Sequence, residues 1–92
     1  MINVVDLFSG AGGLTFGFSY RIRANSFVRN RKFKFLFANE YDHQAALAFS
    51  CNFPRIPLME CDIANVTLES LEKKGIVVNE PVDLIIGGPP CQ

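Results

Sequence analysis

The sequence predicts an α/β fold with a mostly parallel sheet, of which this chain holds about the first four strands. Three observations predict it. Short apolar runs alternate with helical stretches, the pattern that right-handed crossovers turn into a parallel sheet. A glycine-rich turn, Ser9-Gly10-Ala11-Gly12-Gly13, follows the first apolar run, and Gly87-Gly88 follows the last. Hydrophobic residues make up 49% of the chain and charged ones 20%, the profile of a globular domain.

Taken in order, Ile2–Phe8 reads as a strand, apolar on both faces as a central parallel strand is. Leu14–Arg23 reads as the first helix. Phe33–Asn39 is the second strand, and Asp42 is the N-cap of a helix running to Cys51. Leu58–Cys61 is a short third strand. Thr67–Lys74 is a short helix with Gly75 as its C-cap, and Val82–Ile86 is the fourth strand. No internal repeat or low-complexity segment interrupts the pattern.

Composition bounds the function. A chain of 92 residues is one small domain or a piece of a larger one, and it buries only about 60–65% of its unfolded surface. Nine basic and nine acidic residues leave a net charge of zero, so bulk charge points to neither nucleic acid nor membrane. No apolar run is long enough to span a bilayer, and no signal-peptide pattern precedes the first strand. Three cysteines without a C-x-x-C pair argue against a disulfide framework and a zinc site. A reducing, cytoplasmic setting is the default expectation.

In a parallel α/β sheet every loop that follows a strand lies at the carboxyl edge, where such folds hold their ligands. Four clusters therefore converge: Ser9–Gly13, Glu40-Tyr41, Asp62-Ile63 and Gly87–Gln92. The glycine turn brings backbone N–H groups close to a ligand and opens a helix. It departs from the dinucleotide fingerprint, because the third glycine of G-x-G-x-x-G counted from Gly10 would fall on Thr15. Glu40 is placed to accept from a ribose diol, Tyr41 offers a face to a purine, and Asp62 with Ile63 can meet an exocyclic amine and a ring edge. Pro89-Pro90 stiffens the tip that carries Cys91, a thiol well placed to be a nucleophile. Together these residues describe a pocket for an adenosine-containing ligand whose tail points toward Cys91.

Asp6-Leu7-Phe8-Ser9-Gly10-Ala11-Gly12-Gly13-Leu14 resembles the first motif of the cytosine-C5 DNA methyltransferases. Asn39-Glu40-Tyr41-Asp42 resembles their second motif, Cys61-Asp62-Ile63 their third, and Gly87-Gly88-Pro89-Pro90-Cys91-Gln92 their fourth. The resemblance implies the Rossmann-like fold of S-adenosylmethionine-dependent methyltransferases. It implies S-adenosyl-L-methionine as cofactor, with Phe8 on the adenine and the Ser9–Leu14 backbone (Ser9, Gly10, Ala11, Gly12, Gly13, Leu14) holding the methionine end. Glu40 would take the ribose hydroxyls with Tyr41 stacking beside it, Asp62 and Ile63 would read the adenine edge, and Pro90 would border the site. Cys91 would be the catalytic nucleophile, attacking C6 of a cytosine flipped out of double-stranded DNA. No metal is implied. The implied setting is a restriction-modification system of a prokaryote, cytoplasmic and nucleoid-associated.

The same resemblance makes residues 1–92 the N-terminal part of a catalytic domain. The family's glutamate at cytosine N3, its later arginine motif and its target-recognition domain come further on, so the isolated chain is expected to be inactive and to depend on a complementary chain. Alternatives are a transfer-RNA cytosine-C5 methyltransferase, a non-catalytic cofactor-binding subunit, and, more distantly, a nucleotide-dependent oxidoreductase, which Thr15 disfavours.

Other residues carry plainer expectations. Arg21–Lys34 holds six of the nine basic residues and no acid, and reads first as a solvated surface extension at the edge away from the cofactor, with a DNA-phosphate or partner contact as the alternative. Cys51 and Cys61 read as packed apolar residues, and His43 as a surface residue. Asp6 reads as a buried support for the glycine loop. Phe33, Phe35 and Phe37 alternate with Lys34, which predicts a half-exposed second strand, as at a sheet edge.

Overall fold

The computed structural model describes residues 1–88. A four-stranded parallel sheet runs in the order β5-β4-β1-β6, from strands β1 (Ile2–Leu7), β4 (Phe33–Glu40), β5 (Leu58–Glu60) and β6 (Leu84–Ile86). These are the four strands expected, with ends moved by one or two residues. The chain steps outward from β1 to β4 to β5, then returns to place β6 on the other side of β1. That reversal between β1 and β6 is the switch point of a doubly wound sheet.

Each face of the sheet is covered. Thr15, on α1 (Gly13–Ser19), is fully buried and donates its hydroxyl to Asp6 of β1. Ala46 and Phe49 of α2 (His43–Asn52) are likewise buried. On the other face Val5, Phe37 and Met59 pack with Leu71 of α3 (Leu68–Lys73) and with Ile76. Capping chemistry sets the helix ends. Asp42 accepts from Ala45 N, and Thr67 forms a reciprocal capping box with Ser70. Lys74 is the C-cap of α3, and Gly75 stands one place beyond it, at φ 76°. The bonds Ile76 N→Leu71 O and Gly75 N→Glu72 O form a Schellman motif, and the Leu71–Ile76 contact closes it.

The largest departure follows the first helix, which stops at Ser19 rather than Arg23. Residues 20–23 instead form β2 (Tyr20–Arg23), paired antiparallel with β3 (Ser26–Arg29) across a two-residue turn. Ala24 and Asn25 both have positive φ, 51° and 64°, the conformation of a tight hairpin turn. Gly17 weakens the helix, and Tyr20-Arg21-Ile22-Arg23 alternates with period two, so the ribbon wins. The segment expected to be a solvated surface extension is largely exposed and takes the form of a hairpin standing on α1. Phe16 meets Tyr20 and Phe27 at ring-centroid distances of 5.0 and 5.2 Å.

Two smaller expectations change. Cys51 is exposed rather than packed, while Cys61 is half-buried against the core. The second strand, now β4, is interior rather than at an edge. β5 pairs only with its last three residues, Ala38–Glu40, so its first half has a neighbour on one side and Lys34 stays exposed. Lys34 meets Glu80 at 2.9 Å.

Candidate functional site

The loops leaving the four parallel strands converge as the topology requires. Phe8, Gly10, Asn39, Glu40, Tyr41, Asp42, Asp62, Ile63 and Gly88 line one cleft of about 430 Å³. Of the residues singled out in the sequence, Phe8, Gly10, Glu40, Tyr41, Asp62 and Ile63 share it. Ala11, Gly12 and Gly13 border a separate cavity of about 510 Å³ with Phe16, Tyr20, Asn52 and Phe53. Ser9 is buried and Leu14 is exposed, and neither lines the cleft. Pro90 and Cys91 lie outside the described residues.

Glu40 ties the cleft together. One carboxylate oxygen accepts from Gly10 N and the other from Asp42 N, each at 2.8 Å. The glycine loop and the loop after β4 are therefore clamped by one side chain across thirty residues of sequence. A carboxylate offers about four acceptor positions, so two remain for a ligand. Gly12 N donates to Ser9 O and Gly10 N to Glu40, so part of the expected backbone cradle is already committed inside the protein.

Asn39, read in the sequence only as part of a motif, is a supporting residue the apolar pattern did not single out. It is buried at 1% exposure, and its Nδ2 donates to the carbonyls of Met59 and Cys61, both at 2.9 Å. The backbone carbonyl of Asn39 accepts from Ser9 N. The side-chain amide thus fastens β4 to β5 and the loop bearing Asp62, while the backbone of the same residue holds the start of the glycine loop. The signal for it was an uncharged polar residue ending an otherwise apolar strand.

Backbone strain sits at the same edge. Phe8 adopts φ 57°, a conformation that costs a bulky residue about 1–3 kcal/mol and that concentrates at functional sites. Gly87, at the exit of β6, presses its Cα face against the Leu7 carbonyl, where a Cβ would collide with the backbone. This close approach carries the chain after β6 past the end of β1.

Asp6 is fully buried in β1. It bonds to Thr15 on α1 rather than to the glycine loop itself, one turn further on than expected. Its Oδ1 and the Ser9 hydroxyl have no hydrogen-bond partner among the described residues. Burial raises its carboxyl above the ordinary 3.8, the Thr15 hydrogen bond works against that rise, and Glu40 adds to it. The folded state therefore holds this proton more tightly than the unfolded chain does. Stability conferred by Asp6 is complete below pH 3.8 and declines as pH rises through the raised native value. Urea midpoints over a pH series should show wild type losing ground to Asp6→Asn across that window; a constant difference would contradict the raised carboxyl.

His43 is exposed, as expected, and pairs with Glu60 at 2.9 Å. Among the described residues no group of three or more His, Cys, Asp and Glu could hold a metal ion, and no helix is long and apolar enough to cross a membrane. The cleft itself is strongly one-signed. Glu40, Asp42 and Asp62 line it, and neither lysine nor arginine does.

These features define an incomplete Rossmann-like domain with an acidic cleft at its switch point. The family model for C-5 cytosine-specific DNA methylases matches residues 2–92. The type II methyltransferase M.NgoPII of Neisseria gonorrhoeae is 36% identical over 91 residues, covering 99% of this chain and 22% of the relative. The DNA (cytosine-5-)-methyltransferase M.ApeKI of Aeropyrum pernix is 35% identical, covering 98% of this chain and 19% of the relative. A crystal structure described as a prophage-encoded DNA modification methyltransferase (E. coli) superposes with a TM-score of 0.73 at 35% identity. It covers 100% of this chain and 23% of the other. The chain belongs to the C-5 cytosine-specific DNA methylase family, and it spans about a fifth of the length of these relatives.

Proposed function

We propose that this chain is the cofactor-binding, N-terminal part of the catalytic domain of a DNA (cytosine-5-)-methyltransferase of restriction-modification type. It would act in the cytoplasm on nucleoid DNA and use S-adenosyl-L-methionine. The observation that carries the cofactor reading is the sign of the cleft. Three carboxylates and no base favour a cationic ligand and oppose the pyrophosphate of a dinucleotide. The sulfonium and ammonium groups of S-adenosylmethionine are cationic and its adenosine is apolar and hydroxylated, which Phe8, Tyr41, Ile63 and Glu40 suit. The same sign argues against the oxidoreductase alternative.

In this reading Glu40 receives the ribose hydroxyls on its remaining acceptor positions, and Phe8 and Tyr41 pack on the adenine. Asp62 accepts from the exocyclic amine while Ile63 covers the ring edge. The strand-exit loop Ser9–Leu14 faces the methionine end, with Pro90 bordering the site. When bound, S-adenosylmethionine supplies an electrophilic methyl group. Cys91 adds as thiolate to C6 of a flipped cytosine, making C5 nucleophilic toward that methyl. C5 would bond to that methyl as the methyl–sulfonium bond breaks, its electron pair staying on the departing thioether. Loss of the C5 proton to a base would then restore the C5–C6 double bond as the Cys91 sulfur leaves with its electron pair. Flipping costs a few kcal/mol of stacking and pairing, which contacts with the whole enzyme must offset.

Covalent trapping tests this. Duplex DNA carrying 5-fluorocytosine is offered with S-adenosylmethionine to the chain alone and to the chain with a downstream, complementing chain. Fluorine blocks the final elimination, so mass spectrometry should find an adduct on Cys91 that Cys91→Ser abolishes. Cofactor binding without any adduct in either arm would overturn the DNA reading in favour of a transfer-RNA substrate or a binding subunit. Absence of cofactor binding would overturn the whole assignment.

A further inference from the structure

We infer that the β2–β3 hairpin is a phosphate-backbone contact for duplex DNA, an inference that rests on the function proposed above. The net charge of zero conceals a sharp segregation. Between Asp6 and Glu40 the chain contains no acid and six bases, while Glu40, Asp42, Glu60 and Asp62 cluster at the carboxyl edge. A polyanion approaching that edge is repelled, and the ribbon is where the chain offers compensating positive charge. Of the six bases only Lys34 is paired. Arg21, Arg23, Arg29, Arg31 and Lys32 make no ion pair among the described residues, and all five are exposed.

The hairpin register orders this charge. Directly opposed residues share a face, so Tyr20, Ile22 and Phe27, with Arg29 opposite Tyr20, lie on the side that meets Phe16. Arg21 and Arg23 lie on the other side, opposite Val28 and Ser26. Alternate residues on a strand stand about 6.8 Å apart. One DNA strand rises about 3.4 Å per phosphate while turning about a tenth of a revolution, which sets successive phosphates roughly 7 Å apart through space, so the two guanidinium groups match adjacent phosphates. The tight turn at Ala24-Asn25 and the Phe16 contacts hold the ribbon rigid, which lowers the entropy lost when the arginines engage. The ribbon is also not remote from the cleft edge. Tyr20, at its base, shares a cavity with Ala11, Gly12 and Gly13 of the glycine loop.

The test is fluorescence anisotropy of the chain with a labelled duplex of about two helical turns, titrated across a range of salt concentrations. Each phosphate contact contributes about 0.9 to the slope of log affinity against log salt. Arg21→Gln/Arg23→Gln should lower the magnitude of that slope by about 1.8, equally for unrelated sequences, while Arg21→Lys/Arg23→Lys retains it. S-adenosylmethionine binding, measured by calorimetry on the same samples, should be unchanged in both variants. An unchanged slope in the glutamine variant, or wild type that binds cofactor but not duplex, would overturn the inference. So would a change in sedimentation showing that the arginines join two copies of the chain. Loss of cofactor binding in wild type would instead strike the proposed function, with the slope still deciding the ribbon.

Discussion

Glu40→Ala should weaken S-adenosylmethionine binding at least about 100-fold. The magnitude follows from two losses. Hydrogen bonds to a charged acceptor contribute about 1.5–3 kcal/mol each, and a ribose diol would make two. The substitution also leaves Gly10 N and Asp42 N without the acceptor they meet at 2.8 Å. The glycine loop and the loop after β4 then lose the side chain that holds them together, so the cleft opens as well as losing a contact. Glu40→Gln separates these effects. Its amide oxygen can satisfy one backbone N–H, but its NH2 confronts the other, so affinity should fall by an intermediate factor. Calorimetric titration of both variants is the measurement. Wild-type affinity in Glu40→Ala would remove Glu40 from the cofactor site.

Gly12→Ala should cost about 2–5 kcal/mol of stability, the sum of a backbone term and a packing term. Gly12 is the N-cap of α1 and sits at φ 104°, which residues with a side chain rarely adopt. A Cβ there would also run into the Phe53 ring, with Phe49 at 3.2 Å behind it. Phe49 is fully buried and has no room to retreat, so Phe53, half-buried beside the cavity of about 510 Å³, must swing away from its packing on Phe49 to make way. Gly10→Ala is the control. It shares a positive φ, 58°, but a Cβ would meet nothing within 4 Å. It should cost only about 1–2 kcal/mol, the left-handed backbone penalty alone. In a domain of this size each kcal/mol lowers the melting temperature by about 4–8 °C, so thermal and urea melts resolve the two variants easily. Equal losses would mean that the Phe53 contact is relieved at no cost.

The two substitutions divide what was legible from what was not. Glu40 could be singled out because an acid just beyond an apolar strand is conspicuous and the carboxyl edge is dictated by topology. Its grip on Gly10 N could not, because the partners are thirty residues apart and meet only when β1 and β4 pair. The glycine turn was equally visible. Which of its glycines cannot be replaced depends on Phe49 and Phe53, side chains of a different helix.

The hairpin failed for a different reason. Tyr20–Arg23 and Ser26–Arg29 alternate with period two, but they continue directly from a helix and lack the Asn-Gly turn that announces such ribbons. Ala24 accepts a positive φ, against its own preference, because the flanking strands pair and Phe16 receives Tyr20 and Phe27. Cys51 was misread because a helix's last turn can roll outward once Phe49 and Ala46 have claimed the buried stripe.

By itself, then, the sequence determined the α/β class, the four parallel strands, the N-cap of α2, and the set of loops that share an edge. Those properties follow from local periodicity and from chain connectivity, both of which are written in order along the chain. The tertiary structure alone decided that Glu40 clamps the glycine loop, that Asn39 aligns three segments, and that Asp6 reaches Thr15. It also decided that an acid-free stretch stands up as a two-faced ribbon. Each of these depends on groups distant in sequence arriving within hydrogen-bonding or van der Waals distance, which only packing of the sheet against its helices brings about.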